Sequence, residues 1–441
     1  MDLRGKNVLV IGLARTGLEA ARFLIGQGAR VVVTDRKDMR DLPQEIATLP
    51  VTFRAGAEDP AWLTDVDLVV PSPGVPMDNP LLQEACRRNI EIISEIELAA
   101  RFVRAPLIAI TGTNGKSTTT SLIGAILKAS GLKVFVGGNI GTPLIRFAAE
   151  DWDWGVVEIS SFQLEWVNQF HPKVSILLNL TEDHLDRYAN FAAYCAAKER
   201  IFQQQREENV AILNRDDPWV WRARNRIRAR IVSFGWGAVA KGIFATPDEI
   251  IWRDETGAEH FSLENAKLAG VHNVENLMAA VAAAKVVGID SAVIRRAIEG
   301  FTGLEHRLEF VREKNGVRFY NDSKGTNVGA VVKSLMSFSD PVILLAGGVD
   351  KHGDYGILAK EISRTVKKLV VFGAAKDRIR ASLGQLTRTA IAANLDDAVR
   401  AAFDDAVPGD VVLLSPACSS FDMFRDYEER GRVFKDLVRK L

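Results

Sequence analysis

Short aliphatic and β-branched runs alternate with longer amphipathic stretches along the whole chain. NVLVIG is followed by EAARFLIGQ, then by VVVTD and LVVPSPG; LIAITG leads into STTTSLIGAILKAS; VSILLNL, PVILLAGG, KLVVFG and DVVLLSP continue the series. Apolar runs of strand length bounded by turn residues, with helical stretches between them, predict βα units and mostly parallel sheets. Three of these strands run into Gly-rich turns, at 11–17, 110–116 and 345–348, one in each third of the chain. A length of 441 residues, at roughly 150 per domain, fits three α/β domains. The helical stretch SEIELAARFVRAP ends at Pro106 before a new strand, and Gly300 and Gly303 interrupt a long Ala-rich helical stretch. These breaks place the domains at 1–93, 94–299 and 300–441. Residues 203–264 mix Trp, Arg and strand-like pieces without a motif that points to chemistry.

Composition narrows the function classes. Lys plus Arg and Asp plus Glu both total 56, so the formal net charge is zero, without the basic excess of a dedicated nucleic-acid binder. A hydrophobic fraction of 47% with 25% charged residues is that of a globular protein and excludes global disorder. Cys86, Cys195 and Cys418 lie far apart, which argues against a disulfide framework or a cysteine zinc site. The apolar run in MDLRGKNVLVIGLARTG is too short for a signal segment, and no other run spans a bilayer. The expectation is a cytoplasmic protein, not inserted in a membrane and without a nucleic-acid partner.

The strongest chemical signal is Thr111-Gly112-Thr113-Asn114-Gly115-Lys116-Ser117, entered from the strand LIAI and followed by Thr118 and a helix-forming run. Such a loop aims backbone N–H groups at phosphate oxygens, while Lys supplies a mobile charge and Ser a ligand for Mg²⁺, so it should bind ATP. Ile110 stands where the general pattern has Gly. A second turn, Gly12-Leu13-Ala14-Arg15-Thr16-Gly17, joins NVLVI to a helix, with Asp35 closing the next strand. Alone, it is compatible with a structural βαβ turn, an NAD site or a different nucleotide diphosphate. Glu158 at a strand end, His184 after ILLNL and Lys198 in a helical stretch are candidate groups around a metal; for each, a purely structural role stays open. The last third carries Glu305-His306-Arg307, Asn321-Asp322-Ser323-Lys324-Gly325-Thr326, Gly347-Gly348-Val349-Asp350-Lys351 and Ser415 to Asp422, at strand ends and loops where α/β folds place binding groups. Cys418 lacks an evident paired base and reads as a packed thiol.

Together the TGTNGKS loop, Ser160-Ser161-Phe162-Gln163-Leu164-Glu165, Asn179-x-x-x-Asp183-His184, Lys198, His272-Asn273-x-x-Asn276, Glu305-His306-Arg307 and Asn321-Asp322-Ser323-Lys324 resemble the Mur ligase family, over essentially the whole chain. The GLxxTG turn, SSFQLE, HLDRY and SPACSSFDMF, with Tyr427 and Glu429-Arg430-Gly431, look like its D-glutamate-adding branch. The resemblance implies a Rossmann-like N-terminal domain for the UDP substrate, a central P-loop ATPase-like domain and a Rossmann-like C-terminal acceptor domain. It also implies a monomeric ATP-dependent amide ligase joining D-glutamate to UDP-N-acetylmuramoyl-L-alanine through an acyl phosphate, in peptidoglycan precursor synthesis.

By the same resemblance, Ser117 and Glu158 match the ligands of one Mg²⁺, and His184 with Lys198 those around a second. Lys198 matches a lysine converted by carbon dioxide to a carbamate, which turns a cation into an oxygen ligand. Lys116, His184, Lys198, Arg307 and Lys324 match catalytic positions, and His306 a phosphate-facing or substrate-facing one. Gly112 to Thr118, Asn273, Asn276, Arg307 and Asp322 match ATP contacts. Arg15, Thr16, Gly17, Asp35, Arg36, Ser72, Gly74, Asn139 and His184 match UDP-substrate contacts. Thr326, Lys351, Ser420, Phe421 and Tyr427 match the D-glutamate site. Tyr427 stands where a Phe is familiar, so its hydroxyl needs a partner if buried. The alternatives are another Mur-family or folylpolyglutamate-type ligase, an NAD-dependent oxidoreductase built on the first turn, and a non-catalytic nucleotide-binding protein.

Overall fold

Strand β1 (Asn7–Ile11) shows why the apolar runs are continuous. Val8 and Val10 pack with Leu18, Ala21 and Leu24 of the helix Arg15–Gly26, while Leu9 and Ile11 pack on the other face with Leu81, Leu82 and Ala85 of the helix Pro80–Arg87. Successive side chains point to opposite faces, so a strand covered on both sides must be apolar at every position. With β2 (Arg30–Asp35), β3 (Thr52–Ala55), β4 (Leu68–Pro71) and β5 (Glu91–Ile92), it forms a parallel sheet of order β3-β2-β1-β4-β5. The computed structural model describes all residues except 38–41, 43, 56, 57, 186, 269, 351 and 352.

A nine-stranded sheet follows, of order β14-β13-β12-β11-β10-β9-β6-β8-β7. Its parallel part is β6 (Leu107–Thr111), β7 (Val134–Gly138), β8 (Trp154–Glu158), β9 (Val174–Leu177), β10 (Val210–Asn214), β11 (Arg230–Trp236) and β12 (Gly242–Ala245). Antiparallel β13 (Glu249–Asp254) and β14 (Gly257–Ser262) extend it as a meander. Residues 203–264, without motif in the sequence, thus supply five strands. A third sheet has the order β15-β16-β20-β17-β18-β19, from β15 (Glu309–Lys314), β16 (Val317–Asn321), β17 (Val342–Gly347), β18 (Val366–Phe372), β19 (Arg388–Ile391) and β20 (Val411–Leu414); β15 alone runs antiparallel. The chain forms two compact units: Met1–Ala266 with Glu275–Phe301, carrying the first two sheets, and Lys267–Val274 with Thr302–Leu441, carrying the third. No helix among the described residues is long and apolar enough to cross a membrane.

Within the first unit, the short helix Glu95–Ala100, capped by Ser94, ties the two sheets together. Glu97 is fully buried and its carboxylate accepts the backbone N–H groups of Asn168, Gln169 and Phe170 at 2.9–3.0 Å, with Arg101 at 2.8 Å. Charge-assisted bonds of this kind hold a turn of the central sheet onto the preceding helix. Glu95 accepts only Ile145 N–H, at 2.7 Å, and its other oxygen has no partner. Burial therefore favours its neutral form and pushes its pKa to about 7. The unfolded chain loses this proton near pH 4.5 and the folded chain near pH 7, so stability falls as pH rises between those values. Glu95→Gln should flatten this decline, making the variant relatively more stable at pH 8 by roughly 3 kcal/mol but not at pH 4. Denaturant titrations at the two pH values check it; identical pH dependence in both proteins contradicts it.

Candidate active site

The loop from β6 into the helix Lys116–Ala129 is built to leave donors unfilled. Gly115 caps that helix in the left-handed region, φ 85°, with no side-chain cap, so first-turn N–H groups face the loop. A Cβ at Gly115 would meet Asn276 Oδ1 at 2.1 Å, so the turn and the helix carrying Asn276 approach too closely for any other residue. Asn179, at the end of the neighbouring β9 segment, braces the loop: its Oδ1 accepts Asn114 N–H at 2.8 Å and its Nδ2 donates to Asn114 O at 3.0 Å. Thr113 Oγ1 lies 3.0 Å from Tyr194 OH. Ser117 and Thr118 are buried in the first helical turn, and Thr118 Oγ1 has no hydrogen-bond partner.

Two lysines converge on this loop. Lys116 Nζ donates to Gly112 O and Thr113 O, both at 2.9 Å, and Lys198 Nζ donates to the same Gly112 O at 2.9 Å. Lys198 is only 2% exposed. Its position is set by the helix Phe191–Glu199, where Tyr194 lies one turn earlier with its ring 4.8 Å from Lys198 Nζ. Burial, then the charge of Lys116, hold the Lys198 amine well below the usual lysine range. Glu158, at the end of β8, is equally buried; one carboxylate oxygen accepts Asn139 Nδ2 at 2.7 Å and the other has no partner. His184, at φ 54°, stacks edge-on against Phe162 at 4.6 Å. A buried carboxylate oxygen without a donor, a buried serine hydroxyl and a lysine held toward its neutral form fit an oxygen-ligated divalent cation, although no group of three or more His, Cys, Asp or Glu among the described residues could hold a metal by itself.

At the first-domain turn, no side chain caps the helix Arg15–Gly26, and a Cβ on Gly17 would sit 1.9 Å from Gly12 O. Arg15 is exposed and Thr16 half-buried at this helix end. Asp35 and Ser72 are used to close the turn: Asp35 Oδ2 accepts Leu13 N–H at 2.7 Å and Ser72 Oγ donates to Gly12 O at 2.7 Å. Arg36 is exposed with Glu58 at 3.3 Å, and Gly74 lies on the loop after β4. Arg187, assigned no role in the sequence reading, joins that loop to the His184 segment. Its guanidinium donates to Pro73 O at 3.0 Å and Val75 O at 2.9 Å, pairs with both oxygens of buried Glu165, and lies 4.2 Å from the Phe162 ring. Its signal was present in the sequence as the paired SSFQLE and HLDRY segments.

In the second unit, Asp322 is buried and its carboxylate is held by Ser334 Oγ (2.6 Å), Ser415 Oγ (2.7 Å) and Leu308 N–H (3.3 Å). His306 is interior, not surface-facing: it is 3% exposed, bonded to Asn321 Nδ2 at 2.9 Å, and burial lowers its pKa toward the neutral ring. Arg307 is half-buried with an unpartnered Nε. Lys324 Nζ lies 5.4 Å from the Tyr427 ring, and Thr326 follows in the same loop, its N–H on Lys324 O. Tyr427 OH finds its partner in Glu428 Oε1 at 3.2 Å, while burial pushes its pKa to about 12. Ser420 is buried, whereas Phe421 is 73% exposed. Asn273 belongs to this unit through its N–H bond to Gly270 O; Asn276 belongs to the first, where it accepts Thr119 Oγ1 at 3.2 Å. Lys351 lies outside the described residues.

An uncapped helix start beside a converging lysine pair, with a second uncapped start at the Gly12 turn, is the arrangement of the phosphate-binding α/β class. Sequence similarity carries this to a family. Residues 6–94 match the model described as Mur ligase MurD-like, N-terminal domain; 110–284 match the Mur ligase middle domain; 306–418 match the Mur ligase glutamate ligase domain. Proteins named UDP-N-acetylmuramoylalanine--D-glutamate ligase are similar along the full chain: that of Geotalea uraniireducens is 52% identical over 100% of this chain and 99% of its own, and that of Syntrophus aciditrophicus is 49% identical over 100% and 99%. Among solved structures, a pseudomurein peptide ligase type C from Methanothermus fervidus shares the fold with a TM-score of 0.63 at 21% identity over 99% of this chain and all of that one. A MurF ligase from Thermotoga maritima in complex with ADP gives 0.62 at 15% identity over 100% and 96%. The chain belongs to the Mur ligase family.

Proposed function

We propose that this chain joins D-glutamate to the L-alanine carboxylate of UDP-N-acetylmuramoyl-L-alanine, converting ATP to ADP and phosphate, in peptidoglycan precursor synthesis. Full-length relatives near 50% identity that bear this activity in their names support the assignment. The observation that carries the chemistry is the meeting of Lys116 and Lys198 at Gly112 O, beside uncapped N–H groups and the unpartnered oxygen of Glu158. In this reading residues 1–93 hold the UDP substrate through Arg15, Thr16, Gly17, Asp35, Arg36, Ser72, Gly74 and Asn139. Residues 94–299 hold ATP, and 300–441 hold D-glutamate through Thr326, Lys351, Ser420, Phe421 and Tyr427. The enzyme acts as a cytoplasmic monomer on soluble nucleotide substrates.

A carboxylate resists attack by an amine because its charge repels the nucleophile and oxide is a poor leaving group. ATP solves this by transferring its γ-phosphoryl group to the L-alanine carboxylate, forming an acyl phosphate and ADP. The D-glutamate amine then attacks the acyl carbon, expels phosphate and forms the amide. Phosphoryl transfer depends on positioning and charge neutralisation. The Gly112–Ser117 backbone cradles phosphate oxygens, and Lys116 leaves its carbonyl partners to follow the migrating charge. Arg307 and Lys324 supply further positive charge, and Asn273, Asn276 and Asp322 orient the nucleoside. Ser117 and Glu158 would hold one Mg²⁺, and His184 with modified Lys198 would hold a second; bound there, the ions would supply charge neutralisation for phosphate oxygens. The assay that tests this reading follows phosphate release and amide product with ATP, Mg²⁺, UDP-N-acetylmuramoyl-L-alanine and one acceptor at a time. Product should form with D-glutamate and not with L-glutamate, L-alanine or diaminopimelate; product with one of those alone overturns the assignment.

Lys198 works as its carbamate in this reading. A neutral amine attacks carbon dioxide, a C–N bond forms, and a proton leaves to give an anionic oxygen donor. The low proton affinity of buried Lys198 supplies the required neutral amine. Lys198→Ala should lose about two orders of magnitude in turnover or more, regaining part of it with added formate or acetate. Wild-type activity should fall as carbon dioxide is stripped and return with bicarbonate; full activity without carbon dioxide contradicts the modification.

A further inference from the structure

Among the described residues, the largest fully buried side chain is a cation without an ion-pair partner. Arg430, on the helix Tyr427–Lys440, is 0% exposed, and among the described residues no carboxylate forms an ion pair with it. Asp322 and Asp422 act on it only at longer range, and burial brings its pKa down to about 10, which leaves it charged near neutrality. All its hydrogen bonds go to main-chain carbonyls and one hydroxyl. Nε donates to Ser323 Oγ at 2.9 Å and Nη2 to Ser323 O at 2.8 Å. Both Nη atoms donate to Cys418 O at 3.2 Å, and Nη1 reaches Gly347 O at 3.4 Å.

These acceptors lie at or just beyond the ends of three strands, β16, β20 and β17. Ser323 directly precedes Lys324 and leads to Thr326; Cys418 lies two residues before Ser420; Gly347, the last residue of β17, stands four positions before Lys351 in the sequence. Arg430 itself lies one helical turn after Tyr427, whose carbonyl accepts Ser323 Oγ at 2.8 Å. Two of the loops are further locked by a bridge in which Val349 and Ser419 exchange N–H···O bonds at 2.9 and 3.1 Å. The fit leaves no slack: a Cβ at Gly348 would meet Ser419 O at 2.0 Å and Arg430 Nη1 at 3.2 Å, and one at Gly431 would meet His306 Nδ1 at 2.1 Å.

We infer that Arg430 is the positioning residue of the acceptor site: one planar guanidinium sets the mutual spacing of the four chain segments that carry the proposed D-glutamate contacts. This rests on the assignment of those contacts under Proposed function. Arginine suits the task because its donors diverge from a rigid plane toward several carbonyls at once, whereas a lysine ammonium concentrates three donors at one point. Removing it also leaves the carbonyls of Ser323 and Cys418 buried with fewer donors.

The test measures KM for each substrate and thermal stability in Arg430→Lys, Arg430→Gln and Ser323→Ala. Folded Arg430 variants should raise KM for D-glutamate about tenfold or more while KM for ATP and for the UDP substrate stays within about twofold. Ser323→Ala removes one anchor and should give about a threefold rise, which decides the matter if neither Arg430 variant folds. Lower stability with an unchanged KM for D-glutamate makes Arg430 merely structural and overturns the inference. Ser420→Ala separates the two levels of the argument: if it too leaves KM for D-glutamate unmoved, the acceptor assignment has failed, and the inference falls with it.

Discussion

Two lysine amines meet at one carbonyl oxygen, where burial and mutual repulsion oppose charge on the more buried of them, and this constraint organises the site of the first unit. Lys116 and Lys198 both reach Gly112 O, and the more buried of them gives way. The asymmetry divides their work. In the proposed mechanism Lys116 follows the migrating phosphoryl group, and Lys198, placed by its helix beside the Tyr194 ring, is the amine that takes up carbon dioxide. The unpartnered oxygen of Glu158 is the complementary half of the same imbalance: one carboxylate oxygen without a donor near an amine whose charge is disfavoured by burial. In the proposed mechanism a divalent cation would relieve both.

The two compact units handle polar groups differently. The first leaves the helix starts at Arg15 and Lys116 without side-chain caps and one oxygen of Glu158 without a donor. The second binds many of its buried polar groups to one another, Asp322 to two serines, His306 to Asn321 and Arg430 to the segments at Ser323, Gly347 and Cys418, while Arg307 Nε stays without a partner. Under the proposed assignment, a small acceptor with two carboxylates and an amine would need a site of fixed dimensions more than a field of free donors. Preorganisation by buried hydrogen bonds would provide it.

Much of this was legible in the sequence, for identifiable reasons. Parallel strands covered on both faces leave continuous apolar runs, so NVLVI, LIAIT and VILLA read directly as strands, and the glycines of TGTNGKS announced a backbone too close to its neighbours for side chains. Residues 203–264 hid five strands, three in the parallel part of the sheet and two in the meander at its edge, because Trp, Arg and Gly interrupt most of their apolar runs and leave no clean alternation. Asp35 and Ser72 showed in the sequence as polar residues at strand ends, but their use in closing the Gly12 turn did not, since a carboxylate binding a ligand and one binding its own backbone leave the same letter. The task of Arg430 was unreadable for a related reason. Most of its partners are backbone carbonyls, and a carbonyl has no signature in the side-chain alphabet.

The central proposal is that the nucleotide loop activates a carboxylate by phosphorylating it. UDP-N-acetylmuramoyl-L-alanine labelled with oxygen-18 in the alanine carboxylate tests that directly, by mass analysis of the phosphate released during amide synthesis with D-glutamate. Transfer of one labelled oxygen per amide formed into phosphate is the predicted result, since the acyl phosphate carries a carboxylate oxygen away with the leaving group. Amide formation with unlabelled phosphate would contradict it, because ATP would then have been cleaved without passing through the substrate carboxylate.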